Sequence, residues 1–335
     1  MDLRQLNALV AIAEHGSFSA AADALSTVQS NVSTHVKKLE RELGAQLVER
    51  GTGELTDAGS LVVARAKRVI RELDAMSSDV TALSHEIVGT VRVGAIGTTA
   101  RWLVPALVEI TPERHRHLRL IFVEATTLGL GDQLASGQVD VGVLALPASG
   151  SEVRTMALFE EDLALVVPRD HPLASRALVS LADLAREPLF LPLPGTAYRD
   201  ELDQATRAVG VELQAKAEMD SLRLIASLSF EGCGLAILPA GAVPNNLKED
   251  VVTVPVEGLA PRLVGVAQRR RGLPGAPVRA LVEILTEIVF DPSRTPDGVR
   301  PVPPDRGRAP LPSPAAPPAR PAAPGASPGA SPAAG

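Results

Sequence analysis

The sequence has few of the side chains that supply redox, metal or acid-base chemistry. Its 335 residues include one cysteine, one tryptophan and one tyrosine, and aromatic residues make up 2% of the chain. A single cysteine excludes a disulfide within the chain, which fits a reducing compartment. The six histidines have no metal-ligand spacing, and no His-Glu-x-x-His motif occurs. These absences predict a protein with no metal and no cofactor, and not an enzyme.

The sequence also lacks long apolar runs. No stretch approaches the roughly 20 apolar residues of a membrane span, and no signal peptide precedes Met1. We therefore expect a cytoplasmic chain with no membrane partner. The lone thiol, Cys233, lies between two glycines just before an apolar strand pattern, with no adjacent base, so a nucleophilic role is not expected. A net charge of −6 argues against nonspecific binding to polyanions.

Residues 16–43 have the spacing of two short helices joined by a tight turn. Ser17 can cap the first helix, which has apolar residues on one face, and the pattern stops at residues 26–28. It resumes at spacings of four, three and four with Val32, Val36, Leu39 and Leu43. An apolar helix ahead of both would complete a trihelical core. This pattern predicts a helix-turn-helix, and double-stranded DNA is the first partner to consider.

The outward side of the second helix is rich in hydrogen-bonding groups. Short polar side chains suit the edges of bases, and the lysines that follow them suit phosphate. An ordinary helical hairpin with a polar face is the alternative. The candidate DNA-binding residues on this helix are Gln29, Ser30, Asn31, Ser33, Thr34, His35, Lys37 and Lys38.

From Met1 to about Gly59 the chain resembles the winged helix-turn-helix of the LysR-type transcriptional regulators. The resemblance rests on the continuous string LRQLNALVAIAEHGSFSAAADALSTVQSNVSTHVKKLERELGAQLVER, followed by LTDAG at residues 55–59. It implies that Gln29 to Lys38 form the recognition helix in the major groove. It also implies that Arg50 and the residues up to Leu55 form a wing beside the DNA backbone, with RNA polymerase as a further partner.

The predicted DNA-binding domain is itself acidic. Residues 1–60 contain five lysines or arginines and eight aspartates or glutamates, so the formal net charge is 5 − 8 = −3. Nonspecific affinity grows with the number of phosphates neutralised. We therefore expect weak binding by one subunit and useful affinity only when several subunits engage one site.

The next segment predicts how subunits associate. Its apolar residues recur at spacings of 4, 3, 4, 3, 4 and 3, a heptad pattern, among polar neighbours. They are Val62, Ala66, Val69, Leu73, Met76, Val80 and Leu83. A helix lying on its own domain is the alternative. A helix-turn-helix that reads a two-fold site needs two copies, and the resemblance implies that this is the linker helix of a homodimer or homotetramer.

Beyond residue 86, short β-branched runs alternate with helical ones, which predicts an α/β domain with a largely parallel sheet. This region resembles the family's effector domain, which has the two-lobed fold of periplasmic solute-binding proteins (type 2). The strings that support the resemblance are TVRVGAIGTTARWLVPALV, LASGQVDVGVLAL, LALVVPRDHPL and FEGCGLAILP. The fold class is therefore α/β overall with an all-α N-terminal domain.

The predicted domains follow from these boundaries. They are a DNA-binding domain at 1–59, a linker helix at 60–87, an effector domain at 88–290 and a tail at 291–335. Lobe I would comprise 89–165 and 265–290 and lobe II 166–264, with crossovers near Val167–Pro168 and Leu263–Val264. The last 45 residues hold 14 of the 28 prolines and no aromatic residue, a composition that predicts a disordered tail.

In such a sheet, ligands bind at the carboxyl ends of strands and at helix N-termini between the lobes. Backbone amides and hydroxyls at those positions suit an anionic small-molecule effector. Helix capping is the simpler explanation for any one hydroxyl, and Trp102 is expected to pack. The candidate effector-binding residues are Thr98, Thr99, Arg101, Thr126, Thr127, Tyr198, Asp220 and Ser221.

These patterns together predict a LysR-type DNA-binding transcriptional regulator controlled by a small molecule. Two alternatives remain: an enzyme on a solute-binding fold with a DNA-binding appendage, and an architectural DNA-binding protein with a vestigial sensor. The sequence shows no set of acid and base residues suited to catalysis, which disfavours the enzyme alternative.

Overall fold

The structure is a computed structural model that describes residues 1–49, 52–83, 86–148, 152–243, 250–270 and 272–303. The N-terminal region contains α1 (Leu3–His15), α2 (Phe18–Ala24), α3 (Gln29–Leu43) and α4 (Asp57–Ala82). The next part contains β1 (Val88–Ala95), α5 (Gly97–Arg114), β2 (His117–Glu124), α6 (Thr127–Ser136), β3 (Val141–Ala145), β4 (Val153–Glu161), β5 (Leu163–Pro168), β6 (Val179–Ser180), α7 (Leu181–Leu184) and β7 (Pro188–Pro192). The remainder contains α8 (Ala197–Ala208), β8 (Gln214–Met219), α9 (Leu222–Phe230), β9 (Ala236–Pro239), β10 (Val251–Glu257), β11 (Arg262–Arg269), α10 (Ala276–Phe290) and β12 (Val299–Pro301).

The first three helices form the predicted trihelical core. Asp2 and Gln5 make a reciprocal capping box at the start of α1, and Ser17 caps α2. Ser26 adopts a positive φ of 52° in the tight turn that follows α2. The apolar side of α3, with Val32, Val36 and Leu39, is buried against α1, so its polar side faces outward.

A two-stranded wing follows α3 and is tied to it by one carboxylate. Val48 and Leu55 form an antiparallel bridge. The carboxylate of Glu40 in α3 accepts hydrogen bonds from the backbone N–H groups of Leu47 (2.8 Å) and Val48 (3.3 Å). Gly59 packs so tightly that a Cβ there would lie 2.0 Å from the carbonyl oxygen of Leu47. The wing is therefore fixed to both α3 and the start of α4.

The predicted linker helix is present as α4, and its heptad positions divide into two groups. The first group, Val62 and Ala66, packs in the N-terminal core. The later positions Val69, Met76 and Val80 are 47%, 60% and 64% exposed in the single chain. The second half of α4 thus presents an apolar stripe that the described residues of its own subunit leave exposed.

The rest of the chain forms two lobes, each built on its own sheet. Lobe I contains a six-stranded sheet with the order β12-β4-β11-β3-β1-β2. Lobe II contains a sheet with the order β6-β10-β5-β9, and the parallel pair β7-β8 joins it through a bridge between Leu189 and Leu235. The α/β fold class is confirmed.

The chain crosses between lobes at different residues from those predicted. β4 pairs with β11 as far as Glu161, and β5 pairs with β9 from Leu163, so the first crossover is at Asp162 rather than at Val167–Pro168. The return crossover covers residues 258–261, before Leu263–Val264. The apolar runs used for the prediction do not mark the change of sheet, because each crossover directly adjoins a strand end.

The boundary predicted for the disordered tail was wrong. Residues 291–303 are part of lobe I, because β12 pairs antiparallel with β4 and Val299 is buried in the lobe I core. Arg300 also forms two hydrogen bonds of 2.7 Å with Asp162 at the crossover. The proline-rich remainder, 304–335, lies outside the described residues.

The apolar stripe on α4 predicts a dimer that one double substitution should separate. Replacing Met76 and Val80 with lysine places two charges in the seam, and burying unpaired ammonium groups is costly. We expect M76K/V80K to shift from dimer or tetramer to monomer in size-exclusion chromatography with light scattering.

The control is Asp74→Lys, which makes the same change of two charge units at an exposed residue of α4 outside the stripe. A double variant that keeps the wild-type mass would contradict dimerisation through the stripe.

Candidate functional site

The structure places most of the predicted DNA-binding residues on one accessible side of α3. Gln29, Ser30, Asn31, Thr34 and Lys37 are exposed. Lys38 is also exposed, whereas Ser33 and His35 are half-buried. Arg50 lies outside the described residues.

Two of these side chains are oriented by hydrogen bonds within the helix-turn-helix. Asn31 Nδ2 donates to Thr27 Oγ1 at 3.0 Å, and Thr34 Oγ1 donates to the Ser30 carbonyl at 2.7 Å. The Thr34 hydroxyl can still accept a hydrogen bond, and the Asn31 carbonyl oxygen stays free to accept another. Both side chains are thus held at the surface of α3 in defined orientations.

The two lysines have different surroundings. Lys38 is close enough to Asp2 and Glu42 to contribute to the lowered pKa of both carboxyl groups, after the larger effects of their hydrogen bonds. Lys37 lines a groove of about 730 Å³ between α3, the start of α2 and the wing, together with Ser33 and Gln29. Arg41, Glu40 and Glu49 also line the groove, so its charges balance, and Lys37 with the exposed polar side chains of α3 are the groups that suit a DNA strand.

A second candidate site lies where the two lobes meet, and its centre is a buried ion pair. Arg262 at the start of β11 is 6% exposed and Glu161 at the end of β4 is 0% exposed. Arg262 Nε donates to Glu161 Oε1 at 2.8 Å. Removing one partner of such a pair costs about 3–5 kcal/mol because the other charge stays buried.

Two predicted effector residues converge on this ion pair from opposite lobes. Thr98, from the first turn of α5 in lobe I, accepts a hydrogen bond of 3.1 Å from Arg262 Nη2. Tyr198, from α8 in lobe II, lies with its ring 5.8 Å from the Arg262 guanidinium carbon, and its hydroxyl donates to the Ile237 carbonyl. Burial raises the pKa of Tyr198, so it remains a neutral phenol. Arg262 therefore connects the two lobes.

Several buried polar atoms around the crossover have no hydrogen-bond partner within the described part of the chain. They are Thr99 Oγ1, Trp102 Nε1 and Glu161 Oε2. A Cβ on Gly241 would lie 2.9 Å from Trp102 Nε1 and 3.3 Å from Glu161 Oε2, so both atoms face the same backbone segment. Trp102 also packs edge-on against Phe159, as expected of a core side chain. Buried polar atoms normally find partners, so these three atoms leave hydrogen-bonding capacity unused at the lobe junction.

Exposed contacts join α5 and the end of β2 in lobe I to α9 in lobe II, and we call this region the mouth of the cleft between the lobes. Arg101 on α5 lies over the ring of Phe230 on α9, 5.3 Å from its centroid. Arg223 on α9 pairs with Glu124 at the end of β2. Burial and the nearby charge of Arg223 lower the pKa of Arg101. The mouth thus holds two cations and one carboxylate.

The hydroxyls among the other predicted effector residues accept hydrogen bonds from backbone N–H groups. Thr126 caps α6 by accepting from Gly129 N–H, and Thr127 accepts from Ala145 N–H at 3.3 Å. Ser221 caps α9, and Asp220 is exposed beside it. Capping leaves each hydroxyl proton free to donate, so these residues stay candidates.

The sequence analysis missed Arg262 and Glu161. They are 101 residues apart and belong to no local motif. The sequence offers one indication: each of the two residues directly adjoins an apolar strand segment. The structure pairs these opposite charges on neighbouring strands.

The described residues contain neither a candidate metal site nor a membrane-spanning helix. No group of three or more His, Cys, Asp and Glu side chains in that part of the chain could hold a metal ion. None of its helices is long and apolar enough to span a membrane.

Comparison with known proteins gives two family matches that together span both regions. The profile of the "Bacterial regulatory helix-turn-helix protein, lysR family" matches residues 3–60, and that of the "LysR substrate binding domain" matches residues 84–289.

Similar whole proteins are also known. The DNA-binding transcriptional dual regulator OxyR of Escherichia coli is 33% identical over 86% of this chain and 95% of its own length. A full-length OxyR cysteine variant from Pseudomonas aeruginosa has a TM-score of 0.70 and 28% identity, covering 86% of this chain and 94% of that one. A Corynebacterium glutamicum OxyR cysteine mutant with H2O2 bound has a TM-score of 0.55 and 28% identity, covering 85% and 92%.

The arrangement of α3 predicts two classes of variant. Replacing Asn31 or Thr34 with alanine should abolish sequence preference with a modest loss of general affinity, since each base contact contributes about 1–3 kcal/mol of discrimination. Replacing Lys37 or Lys38 with alanine should weaken binding to every sequence and reduce the salt slope by about one. Fluorescence anisotropy with specific and scrambled duplexes over a salt series measures both effects. Equal effects from the two classes would show that another surface reads the DNA.

Proposed function

This chain belongs to the LysR family of bacterial transcriptional regulators, and from that premise we propose which of its surfaces read DNA and which receive the effector. It is a DNA-binding transcriptional regulator controlled by an effector. The recognition surface is the exposed side of α3 with the adjoining groove. The free stripe on α4 joins two subunits so that two recognition helices bind one two-fold site.

The effector site we propose is the cleft between the lobes at the Arg262–Glu161 pair. The observation that carries this assignment is that Thr98 of lobe I and Tyr198 of lobe II meet at Arg262, beside buried polar atoms without partners. A ligand bound there contacts both lobes at once. Arg101 and Arg223 at the mouth favour an anionic group, and Glu161 Oε2 favours a hydroxyl or amide donor on the same molecule.

The proposed mechanism is a change in subunit geometry. An effector that holds the lobes in one relative orientation alters the surfaces through which subunits associate, and so the spacing of the recognition helices. DNA bending or site spacing then changes, and with it the access of RNA polymerase to the promoter. We further propose a cytoplasmic location and no turnover of the effector.

Peroxide sensing is a second candidate, favoured by the likeness to OxyR proteins. A thiol reacts with peroxide to give a sulfenic acid and water: the O–O bond breaks, an S–O bond forms, the sulfur loses two electrons and the two peroxide oxygens gain one each. Here the single thiol is Cys233, which is exposed in the turn before β9. With no second cysteine in the chain, an intrachain disulfide cannot follow. A noncovalent effector is therefore the primary proposal.

An effector bound in the cleft should change the DNA contacts of the whole protein. Small carboxylates are screened by thermal shift, and each hit is tested by footprinting on the intergenic DNA beside the gene. We expect a hit to lengthen or shorten the protected region, and Arg101→Gln to weaken its binding about tenfold by removing a charge-assisted contact. Arg207→Gln, at an exposed residue of α8, is the matched control. A hit that binds with an unchanged footprint and unchanged transcription would contradict the mechanism.

The role of Cys233 is decided by peroxide treatment of the wild type and of Cys233→Ser. We expect H2O2 to add at most the mass of one oxygen to the wild-type thiol and to leave the footprint unchanged in both proteins, because the residue lies away from the lobe crossover. Mass spectrometry and footprinting give the two readouts. A footprint that changes in the wild type and stays constant in the serine variant would instead establish peroxide sensing.

A further inference from the structure

We propose that the groove between α4 and the sheet of lobe I binds a small molecule with linked phosphate groups. The groove has a volume of about 550 Å³ and lies at the junction between the linker helix and the sensor domain. It is separate from the cleft between the lobes. Its lining includes five arginines, namely Arg71, Arg92, Arg119, Arg154 and Arg269.

The sheet supplies a row of guanidinium groups along the floor. Arg92 on β1 and Arg119 on β2 are exposed, and the register places them two residues apart on adjacent parallel strands. Arg269 on β11 lies at the other end of the row, because the register leads from Arg92 through Asp140 beside β3 to Arg269 on the same face. Arg154 on β4, which donates to Gln268 at 3.0 Å, belongs by register to the other face and lines the groove only at the end of the sheet. With strands about 4.8 Å apart, three strand intervals separate the backbones of Arg119 and Arg269 by about 14 Å. One phosphate group contacts only part of such a row, so linked phosphates fit it better.

The helix side adds a half-buried cation, Arg71. Arg71 Nη2 donates to the Ser136 carbonyl at 3.2 Å, and its Nε atom is buried without a hydrogen-bond partner among the described residues. Burial first, and then the positive charge of Arg269, lower the pKa of Arg71 to about 10, while the carboxylate of Asp140 acts in the opposite direction. The groove thus concentrates positive charge that its own acidic residues offset only in part.

The acidic residues of the groove do not cancel this charge. Asp140 accepts a hydrogen bond of 2.8 Å from the backbone N–H of Arg92, Glu72 is 4.0 Å from Arg269, and Asp74 is exposed. Three acids against five arginines leave 5 − 3 = +2 in a chain whose total is −6. Guanidinium forks bind phosphate oxygens in pairs, which makes phosphate the anion of choice for such a row.

The position of the groove determines how a bound ligand would affect α4 and the dimer stripe. Arg71, Ala75 and Ser78 line the groove from one side of α4, whereas Met76 and Val80 of the dimer stripe point to another. A bound anion therefore does not compete with dimerisation. It would connect α4 to the sheet of lobe I and restrict how the linker helix sits on the sensor domain.

The test is calorimetric titration of the full chain with sodium tripolyphosphate at fixed ionic strength. We expect one site per subunit, and we expect R92Q/R119Q to bind about tenfold more weakly, since two charge-assisted contacts are lost. Both arginines are exposed, so the double variant should keep the wild-type melting temperature. Arg207→Gln, on α8 of lobe II, should bind as the wild type does.

Further ligands distinguish the source of the phosphates. ATP binding as tightly as tripolyphosphate would show that the phosphate chain alone is recognised, and tighter ATP binding would show that the nucleoside contributes; both support the site. Inorganic phosphate binding as tightly as tripolyphosphate would overturn the requirement for linked phosphates. The proposal fails if tripolyphosphate gives no heat at millimolar concentration, or if R92Q/R119Q binds like the wild type.

Discussion

The buried ion pair between Arg262 and Glu161 is the contact on which the arrangement of the two lobes depends. The two residues sit opposite each other at the ends of neighbouring strands, at the points where the chain leaves and re-enters lobe I. Desolvating two charges is expensive, and the cost is offset only with good geometry and further hydrogen bonds. Thr98 provides one such bond, and the ring of Tyr198 covers the guanidinium from lobe II. The crossover is consequently held in one geometry.

The contacts that join the lobes differ in strength according to their exposure. At the crossover, Arg262 and Glu161 are buried from solvent, and removal of either leaves the other charge buried without a counter-charge. At the mouth of the cleft, Arg223 and Glu124 are exposed, and ion pairs of that kind contribute about 0–1 kcal/mol. If the effector binds as proposed, spreading or closing the mouth displaces only weak contacts, and the crossover is the natural pivot. On that proposal, lobe movement about the crossover is the least costly response.

The sequence predicted the features that depend on local periodicity and missed those that depend on distant pairing. The helices α1 to α4 follow from apolar spacing and from caps such as Ser17. β8 was not predicted, because QAKAEM alternates polar residues with alanine and methionine only, and alanine, lysine and glutamate have low strand propensity; it forms a strand by pairing in parallel with β7. β12 was hidden in a proline-rich composition, although Val299 completes the lobe I core. At the site, Thr98 and Tyr198 both lie at the lobe junction and their role in effector binding stays a prediction, whereas the ion pair beside them requires two residues 101 positions apart.

Because the DNA-binding domain is acidic, the affinity of the protein for DNA depends strongly on the linker helix. Five cations against eight acids let each recognition domain neutralise few phosphates, so tight binding requires two domains on one DNA molecule. The second domain then binds at an effective concentration set by the spacing between the two, and that concentration falls steeply when the geometry no longer matches the site. α4 fixes this spacing because it packs on the N-terminal core at one end and on the lobe I sheet at the other. Small changes in how α4 sits on lobe I are therefore converted into large changes in DNA occupancy, without any change in the recognition helix itself.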